Sequence, residues 1–323
     1  MPPLVNLSSL IDDARCYTLV RQHRRPEGVR CPRCDSAAVT RDGRDDSQPH
    51  RQRYHCTACG SRFDDLTGTI LAGHHRPLRV WVLCLYLMGL NLSNRQIAQE
   101  LDLNQSDVQL MTEQLRTGRP GRQDPAGAAR GRGGDRRGLC RSRAQGQPGR
   151  RRKKGQPGRR RRLRGAPGRG TLAKGKPPVL GLLQRGGEVV IRMLANVQQT
   201  TIRPVIEASV AKGTLVHTDE YDVYARLEAW GYGHKTVCHG RGEYARDEDG
   251  DGFCEVHVNT AEGFWSLLRS WLRPHRGISQ EKLPAYLDFF QLVHNARRRG
   301  KALLGTLIAG VVAEADARHP ETR

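Results

Sequence analysis

Sixty consecutive residues of this chain, from Arg119 to Pro178, contain no Val, Ile, Met, Phe, Tyr or Trp. A segment that lacks these side chains cannot bury an apolar core of its own. The same segment holds 21 Lys or Arg residues against two acids, Asp124 and Asp135, and so carries nearly all of the formal charge of +21. Such charge blocks are typical of disordered arms that bind nucleic acid by releasing counterions. We therefore predict a basic, disordered DNA-binding segment over residues 119–178.

The chain also lacks a long hydrophobic run. The longest, Val80 to Leu90, has 11 residues, whereas a helix needs about 20 apolar residues to span a bilayer. No signal-peptide pattern opens the sequence, and the nine cysteines do not form a disulfide framework, which suits a reducing compartment. We expect a soluble cytoplasmic protein with one large domain and one or two small ones.

Four cysteines form two Cys-x-x-Cys pairs, Cys31 with Cys34 and Cys56 with Cys59, separated by 21 residues. Two short turns that each carry two thiolates can close a tetrahedron around Zn²⁺, and the intervening residues would fold as a small hairpin. A redox dithiol is the weaker alternative. The spacing predicts a structural zinc ribbon, with a short N-terminal helix, over residues 1–64.

Residues 65–118 contain two short amphipathic helices joined by a tight turn. Ser93 and Gln96 form a capping box that opens the first helix, and the second runs from Ser106 to Arg116. This arrangement resembles a helix-turn-helix whose second helix would lie in a major groove of double-stranded DNA; helix packing alone is the alternative. The candidate DNA contacts of this hairpin and of the basic segment are Arg95, Ser106, Arg116, Arg159, Arg160 and Arg161.

Two acids stand where a metal ion could reach them. A β-prone run ends at Asp219, at the rim of a predicted sheet, and Glu262 stands in an otherwise apolar helix. Both could converge on Mg²⁺ or Mn²⁺, which take few carboxylates and keep positions open for phosphate oxygens. The alternatives are a helix cap for Asp219 and a solvated helix face for Glu262. The pattern favours phosphoryl transfer on DNA, in a mixed α/β domain over residues 179–305 that is followed by a tail over residues 306–323.

The zinc ribbon, the helical hairpin, Thr-Asp-Glu-Tyr at Asp219 and His-x-Asn-x-x-Glu-Gly-Phe-Trp at Glu262 together resemble the DDE transposases of bacterial insertion sequences, of the ISXO-like kind. The resemblance covers nearly the whole chain except the basic segment. It implies a ribonuclease-H-like fold, two-metal strand cleavage and transfer, and at least a dimer on DNA. Asp219 matches the family's second catalytic Asp and Glu262 its terminal acid, while His257 and Asn259 match flanking positions.

Two other functions remain open. One is a non-catalytic DNA-binding regulator that uses the ribbon, the hairpin and the basic segment. The other is an RNA-binding protein, which would need only the basic segment and leaves the remaining motifs unexplained. Metal-dependent strand cleavage separates the transposase from both.

The first catalytic Asp of such enzymes is expected inside Arg119 to Arg150, where the sequence offers no hydrophobic strand. Asp135 is the candidate that remains for the third acid. Reading Asp135 to Gln147 one base forward permits Thr-Asp-Glu-Val-Tyr-Val-Val-Ala-Gly-His-Lys-Gly, a strand that carries the missing Asp-Glu. We hypothesise a compensated frameshift, or a site of programmed frameshifting, and a chain that as written binds DNA and fails to cut it.

Overall fold

The computed structural model of the chain describes residues 12–118, 177–219, 221–238, 254–275, 277–298 and 303–312, the backbone of residues 133–138, and residues 243, 245–248, 250 and 252. These residues fall into two compact units, divided after Gln123 and after Arg299. The first unit therefore combines both ends of the described chain, and the second holds the residues between them. None of the described helices has both the length and the hydropathy needed to cross a membrane.

The described helices and strands follow the predicted order closely. In chain order, the helices are α1 (Asp13–Arg24), α2 (Leu78–Gly89), α3 (Asn94–Leu101), α4 (Gln105–Thr117), α5 (Gln199–Ser209), α6 (Asn259–Leu272), α7 (Leu283–Arg298) and α8 (Leu303–Val312). The strands are β1 (Val39–Arg44), β2 (Gln52–Cys56), β3 (Arg62–Asp64), β4 (Gly133–Gly138), β5 (Val179–Gln184), β6 (Val189–Met193), β7 (Leu215–Asp219), β8 (Gly233–Val237), β9 (Ala245–Arg246) and β10 (Val256–His257). Strand β7 is followed by two short 3₁₀ turns, Asp222–Tyr224 and Glu228–Trp230.

The helical part of the first unit is organised around α2, which is apolar on all sides. Ten of its twelve residues are buried. A helix that is hydrophobic all round has to be covered on every side, and α1, α3, α4 and α8 all pack against it. The helical hairpin α3–α4 is thereby held on a fixed support.

Helix α8 corrects the prediction of a tail over residues 306–323. Residues Leu303–Val312 form a helix that packs on α1 and α2, and they belong to the first unit rather than to the domain predicted over residues 179–305. Leu307, Ile308 and Val311 are buried because residues three and four apart share one face of a helix. Residues 313–323 lie outside the described part of the chain.

A buried carboxylate, that of Asp65, joins α1 to the three-stranded sheet β1–β2–β3. Its oxygens accept hydrogen bonds from Arg21 Nη2 at 2.8 Å, from Tyr54 Oη at 3.1 Å and from the Gln52 backbone N–H at 2.8 Å. The Asp65 side chain is fully buried, and a buried charge of this kind is tolerated only when it is paired and hydrogen-bonded. Residues close to the end of the ribbon are therefore held directly by α1.

The second unit contains a five-stranded sheet in the order β6-β5-β4-β7-β8. Strand β5 is antiparallel to both of its neighbours, β6 and β4. Strand β7 is parallel to both of its neighbours, β4 and β8. Helix α5 lies between β6 and β7 in sequence, and its Ile202 and Ile206 pack in a core with Leu180, Val216 and Leu227. The mixed α/β architecture predicted for this part of the chain is thus confirmed.

Strand β4 lies inside the segment over residues 119–178 that the sequence analysis predicts to be disordered. Its six residues, Gly-Gly-Asp-Arg-Arg-Gly, have low β propensity. They nevertheless form the central strand of the sheet, because β5 on one side and β7 on the other supply backbone hydrogen-bond partners. The prediction is therefore corrected for residues 133–138, and the remainder of the segment lies outside the described residues.

Side chains from α7 cover the outer edge of β6. Asn295 accepts a hydrogen bond from the Val189 N–H at 2.9 Å and donates one to the Val189 carbonyl at 3.0 Å. One helical turn earlier, Gln291 accepts from the Ile191 N–H at 2.7 Å. These amides act as a substitute for a neighbouring strand, so that the edge is not left open to a further chain.

We expect Asn295→Ala to lower the free energy of unfolding by about 2 kcal/mol, because both backbone groups of Val189 lose their partner at a largely covered edge. The matched control is Gln198→Ala, which removes an exposed amide at the N-cap of α5 that makes no side-chain capping bond and should cost less than about 0.5 kcal/mol. Urea denaturation of both variants and the parent measures the difference. Equal midpoints for Asn295→Ala and the parent would contradict the role given to α7.

Candidate zinc centre and active site

The four paired cysteines converge, as predicted for the zinc ribbon. Their Sγ atoms all lie within 4.8 Å of one another, and the Cys31–Cys59 and Cys34–Cys56 Sγ distances are 3.6 Å. They come from two similar knuckles. In each, the carbonyl of the first cysteine accepts a hydrogen bond at 2.9 Å from the N–H four residues later, where Asp35 or Gly60 adopts a left-handed backbone.

The two cysteines of the first knuckle differ in their electrostatics. At Cys34 the Ser36 N–H stabilises the thiolate, but hydrogen bonds with the neighbouring cysteine side chains outweigh this effect and raise the pKa. Burial of the Cys31 thiol raises its pKa, but the backbone N–H groups of Arg33 and Cys34 stabilise the thiolate, and the net effect lowers the pKa to about 7. Thiolates are the form in which cysteine binds zinc. Four thiolates that point into one small volume fit a tetrahedral Zn²⁺, which would replace sulfur–sulfur contacts with metal bonds.

Asp219 and Glu262 lie on elements that flank the same strand. Asp219 is the last residue of β7, which pairs with β4. Glu262 lies in the first turn of α6, which packs beside β4. The Glu262 side chain is exposed, while its neighbours Phe264 and Trp265 are buried. Glu262 thus lies on a helix, as predicted, and its exposure is also what the alternative of a solvated helix face predicts. The role of Glu262 as a metal ligand stays a prediction.

The start of α6 is fixed by a long-range hydrogen bond. Arg185, in the turn between β5 and β6, donates from Nη2 to the His257 carbonyl at 3.0 Å. His257 ends β10, two residues before α6 begins at Asn259. A side chain from the sheet thus sets the position from which the helix bearing Glu262 departs.

His217 is a residue of this region that the sequence analysis did not single out. It lies two residues before Asp219 on β7, and alternate residues of a strand face the same side of the sheet. Its ring is 2% exposed. Burial, reinforced by the positive charges of Arg185 and Lys235, lowers the pKa of His217 to about 4, so that the ring is neutral near pH 7. The sequence signal that could have identified His217 is its position two residues before Asp219, since alternate residues of a strand share one face.

The third acid proposed from the sequence, Asp135, lies on β4. The β4–β7 register pairs Gly133 with Val216 and Gly134 with His217. Continued by two residues, that register sets position 136, rather than Asp135, level with Asp219. Among the described residues, the four cysteines are the group of three or more potential ligands close enough to share a metal ion.

The helical hairpin has the predicted capping box, in which the Ser93 hydroxyl accepts from the Gln96 N–H and the Gln96 side chain accepts from the Ser93 N–H. Arg95 and Ser106 are exposed, as DNA contacts have to be. Arg116 is only 3% exposed. The prediction of a DNA contact there is wrong because residue 116 follows Leu115 and lies one helical turn after Thr112, both fully buried. Arg159, Arg160 and Arg161 lie outside the described residues.

We expect the purified chain to contain a single zinc ion and to lose the ribbon structure when a strong chelator removes it, because small zinc sites hold their fold through the metal. Cys56→Ser should abolish zinc retention, since Cys56 is a fully buried member of the site. Cys254→Ser, which changes an exposed cysteine elsewhere, is the control and should keep the metal. Metal analysis and limited proteolysis measure the outcome; full zinc content in Cys56→Ser would refute the assignment.

Comparisons with known proteins identify a zinc-ribbon domain and a transposase domain in this chain. A family described as the ISXO2-like transposase domain matches residues 148–295, and one described as the transposase zinc-ribbon domain matches residues 11–62. The chain is 34% identical to an uncharacterized protein in the transposable element ISH50 of Halobacterium salinarum, in an alignment 317 residues long that covers 94% of this chain and 99% of that protein. No solved structure matches the chain significantly. The chain therefore belongs to the ISXO2-like DDE transposases, insertion-sequence enzymes with an N-terminal zinc ribbon.

Proposed function

We propose that the second unit is a ribonuclease-H-like catalytic domain in which Asp219 and Glu262 hold the divalent cations for cleavage and transfer of DNA strands. The sheet order β6-β5-β4-β7-β8, with β4 at its centre and β7 parallel to it, carries the proposal. It brings a strand that ends in a carboxylate and a helix that carries a carboxylate to either side of one central strand. Hard oxygen ligands of this kind suit Mg²⁺ or Mn²⁺.

The reaction has two in-line steps at phosphorus. In the first, water attacks a phosphodiester at the element end, the P–O bond to the 3′ oxygen breaks, and a 3′-hydroxyl is released. In the second, that hydroxyl attacks a phosphodiester of the target DNA and releases its 3′-hydroxyl. Bound Mg²⁺ would supply charge stabilisation for the attacking and leaving oxygens.

The residues of this chain have distinct tasks in the proposal. Asp219 and Glu262 bind the cations, and Arg185 positions Glu262 by holding the His257 carbonyl ahead of α6. The basic segment and the helical hairpin bind the DNA, and pairing of two element ends requires at least a dimer.

Position 136 limits the catalytic power of the chain as written. A paired-metal site normally uses a third carboxylate, and the register of β4 puts Arg136 level with Asp219. At that strand position the sequence thus has a cationic residue, which is not an oxygen ligand for a metal ion. The chain as written therefore binds DNA and cleaves it poorly.

The frameshift hypothesis gains support at this position. In the forward-shifted reading, Thr falls at position 135 and Asp at position 136, which the register sets level with Asp219. The match to the ISXO2-like transposase domain begins at residue 148, directly after the interval proposed to be out of frame. Both observations favour a compensated or programmed frameshift over an unrelated basic insertion.

We expect Arg136→Asp to raise Mg²⁺-dependent cleavage of labelled element-end DNA by at least about tenfold, because it adds the third oxygen ligand and removes a positive charge. Arg136→Ala is the matched control: it removes the charge without supplying a ligand and should gain little. Asp219→Asn in the Arg136→Asp background should return cleavage to the background level.

Two outcomes would contradict this account. Robust cleavage by the parent that is lost in Asp135→Asn would make Asp135 the third ligand. DNA binding without cleavage in the parent, in Arg136→Asp and in a chain built with the whole shifted segment would favour the non-catalytic regulator.

A further inference from the structure

The outward face of α4 differs from an ordinary solvated helix face. Its first two turns expose Gln105, Ser106, Gln109 and Leu110. Leu110 is 67% exposed, the largest value among the exposed large hydrophobic residues of the described chain. Solvated helix faces usually carry charged side chains, whereas these two turns present amides, a hydroxyl and a branched apolar side chain. The next turn carries Glu113, which accepts a hydrogen bond from Gln109 Nε2 at 3.2 Å.

The opposite side of α4 is fixed to the first unit through several contacts. Gln114 donates to the Ile70 carbonyl at 2.7 Å and contacts His74 Nε2 at 2.6 Å. Asp107 forms an ion pair with Arg76, and the Thr112 hydroxyl donates to Asn94 Oδ1 at 3.2 Å. These contacts fix the rotation of α4, so that the exposed face is preorganised rather than adaptable.

The chemistry of this face matches base edges in a major groove. A glutamine amide can both donate to and accept from the adenine edge, and an apolar side chain contacts the methyl group of thymine. Gln105 and Gln109 lie one turn apart, about 6 Å along the helix axis, which is a spacing of about two base pairs. In helix-turn-helix proteins the N-terminal residues of the second helix contact bases.

We propose that α4 reads A·T base pairs of the element end through the major groove, with Gln105 and Gln109 on adenines about two base pairs apart and Leu110 on a thymine methyl. This inference rests on the proposed binding of element-end DNA. It separates two tasks that the sequence leaves together. The 21 cations of the basic segment supply salt-dependent affinity for any DNA, and the first two turns of α4 supply discrimination between sequences.

The test begins with selection of bound duplexes from a random pool by the full-length zinc-loaded chain, in buffer without Mg²⁺ so that cleavage cannot deplete the pool. Binding of the selected duplex is then measured by fluorescence anisotropy at fixed salt, with each thymine replaced in turn by uracil. At one position we expect the loss of the methyl group to weaken binding about fourfold, the effect of one buried methyl group.

Leu110→Ala should bind the thymine and uracil duplexes equally, whereas Leu110→Ile should retain the preference for thymine. Gln109→Ala should lose its discrimination against 7-deazaadenine at a neighbouring position, where the parent loses at least about fivefold. Leu267→Ala, which shortens another exposed leucine in the second unit, is the control and should behave like the parent. Because Leu110 is exposed, its replacement should leave the thermal melting of the chain unchanged.

The outcomes separate this inference from the proposed function. A sequence preference that survives in Leu110→Ala and Gln109→Ala overturns the reading role of α4 and leaves the transposase mechanism standing. Binding without any selected sequence overturns it as well. Absence of DNA binding in the parent would count against the proposed function itself.

Discussion

The hydrogen-bonded register between β4 and β7 is the constraint on which the proposed chemistry depends. It fixes which residue of the central strand is level with Asp219, and a shift by one residue would exchange the two faces of the strand. Because Gly134 pairs with His217, the register continued by two residues sets position 136 level with Asp219. The sequence has an arginine at that position, so in the proposed mechanism this backbone pairing determines whether a third carboxylate is available.

Strand β4 also shows how far tertiary structure can override local preference. Six residues with three glycines and two arginines have little tendency to form a strand, yet β5 and β7 complete their hydrogen bonds on both sides. Opposite this centre, α7 closes the edge at β6 with two side-chain amides. Neighbouring elements thus specify the sheet at two places, the central strand β4 and the outer edge of β6, where the sequence of the strand alone predicts least.

The zinc ribbon of the first unit uses a different principle, in which metal ligands and a buried charge supplement a small apolar core. Two knuckles of the same backbone geometry bring four thiolates together, and the Asp65 carboxylate ties the ribbon to α1 through Arg21 and Tyr54. Small domains cannot bury enough apolar surface to be stable by burial alone. The apolar helix α2 supplies that surface for the helical hairpin. The outward face of the first two turns of α4 therefore does not pack in the core.

The sequence by itself determined the elements whose signal is local or periodic. Paired cysteines predicted the ribbon, and a capping box predicted the start of α3. A β-prone run predicted the strand that ends at Asp219, and a run of apolar residues predicted the helix that carries Glu262. Only the tertiary structure decided matters that depend on distant partners. It buried Arg116, moved the residues of α8 from a predicted tail into the first unit, and made a strand of Gly133–Gly138. Each of these three outcomes depends on which surface a residue contacts after folding. Those contacts are set by packing and strand pairing between residues that are far apart in the chain.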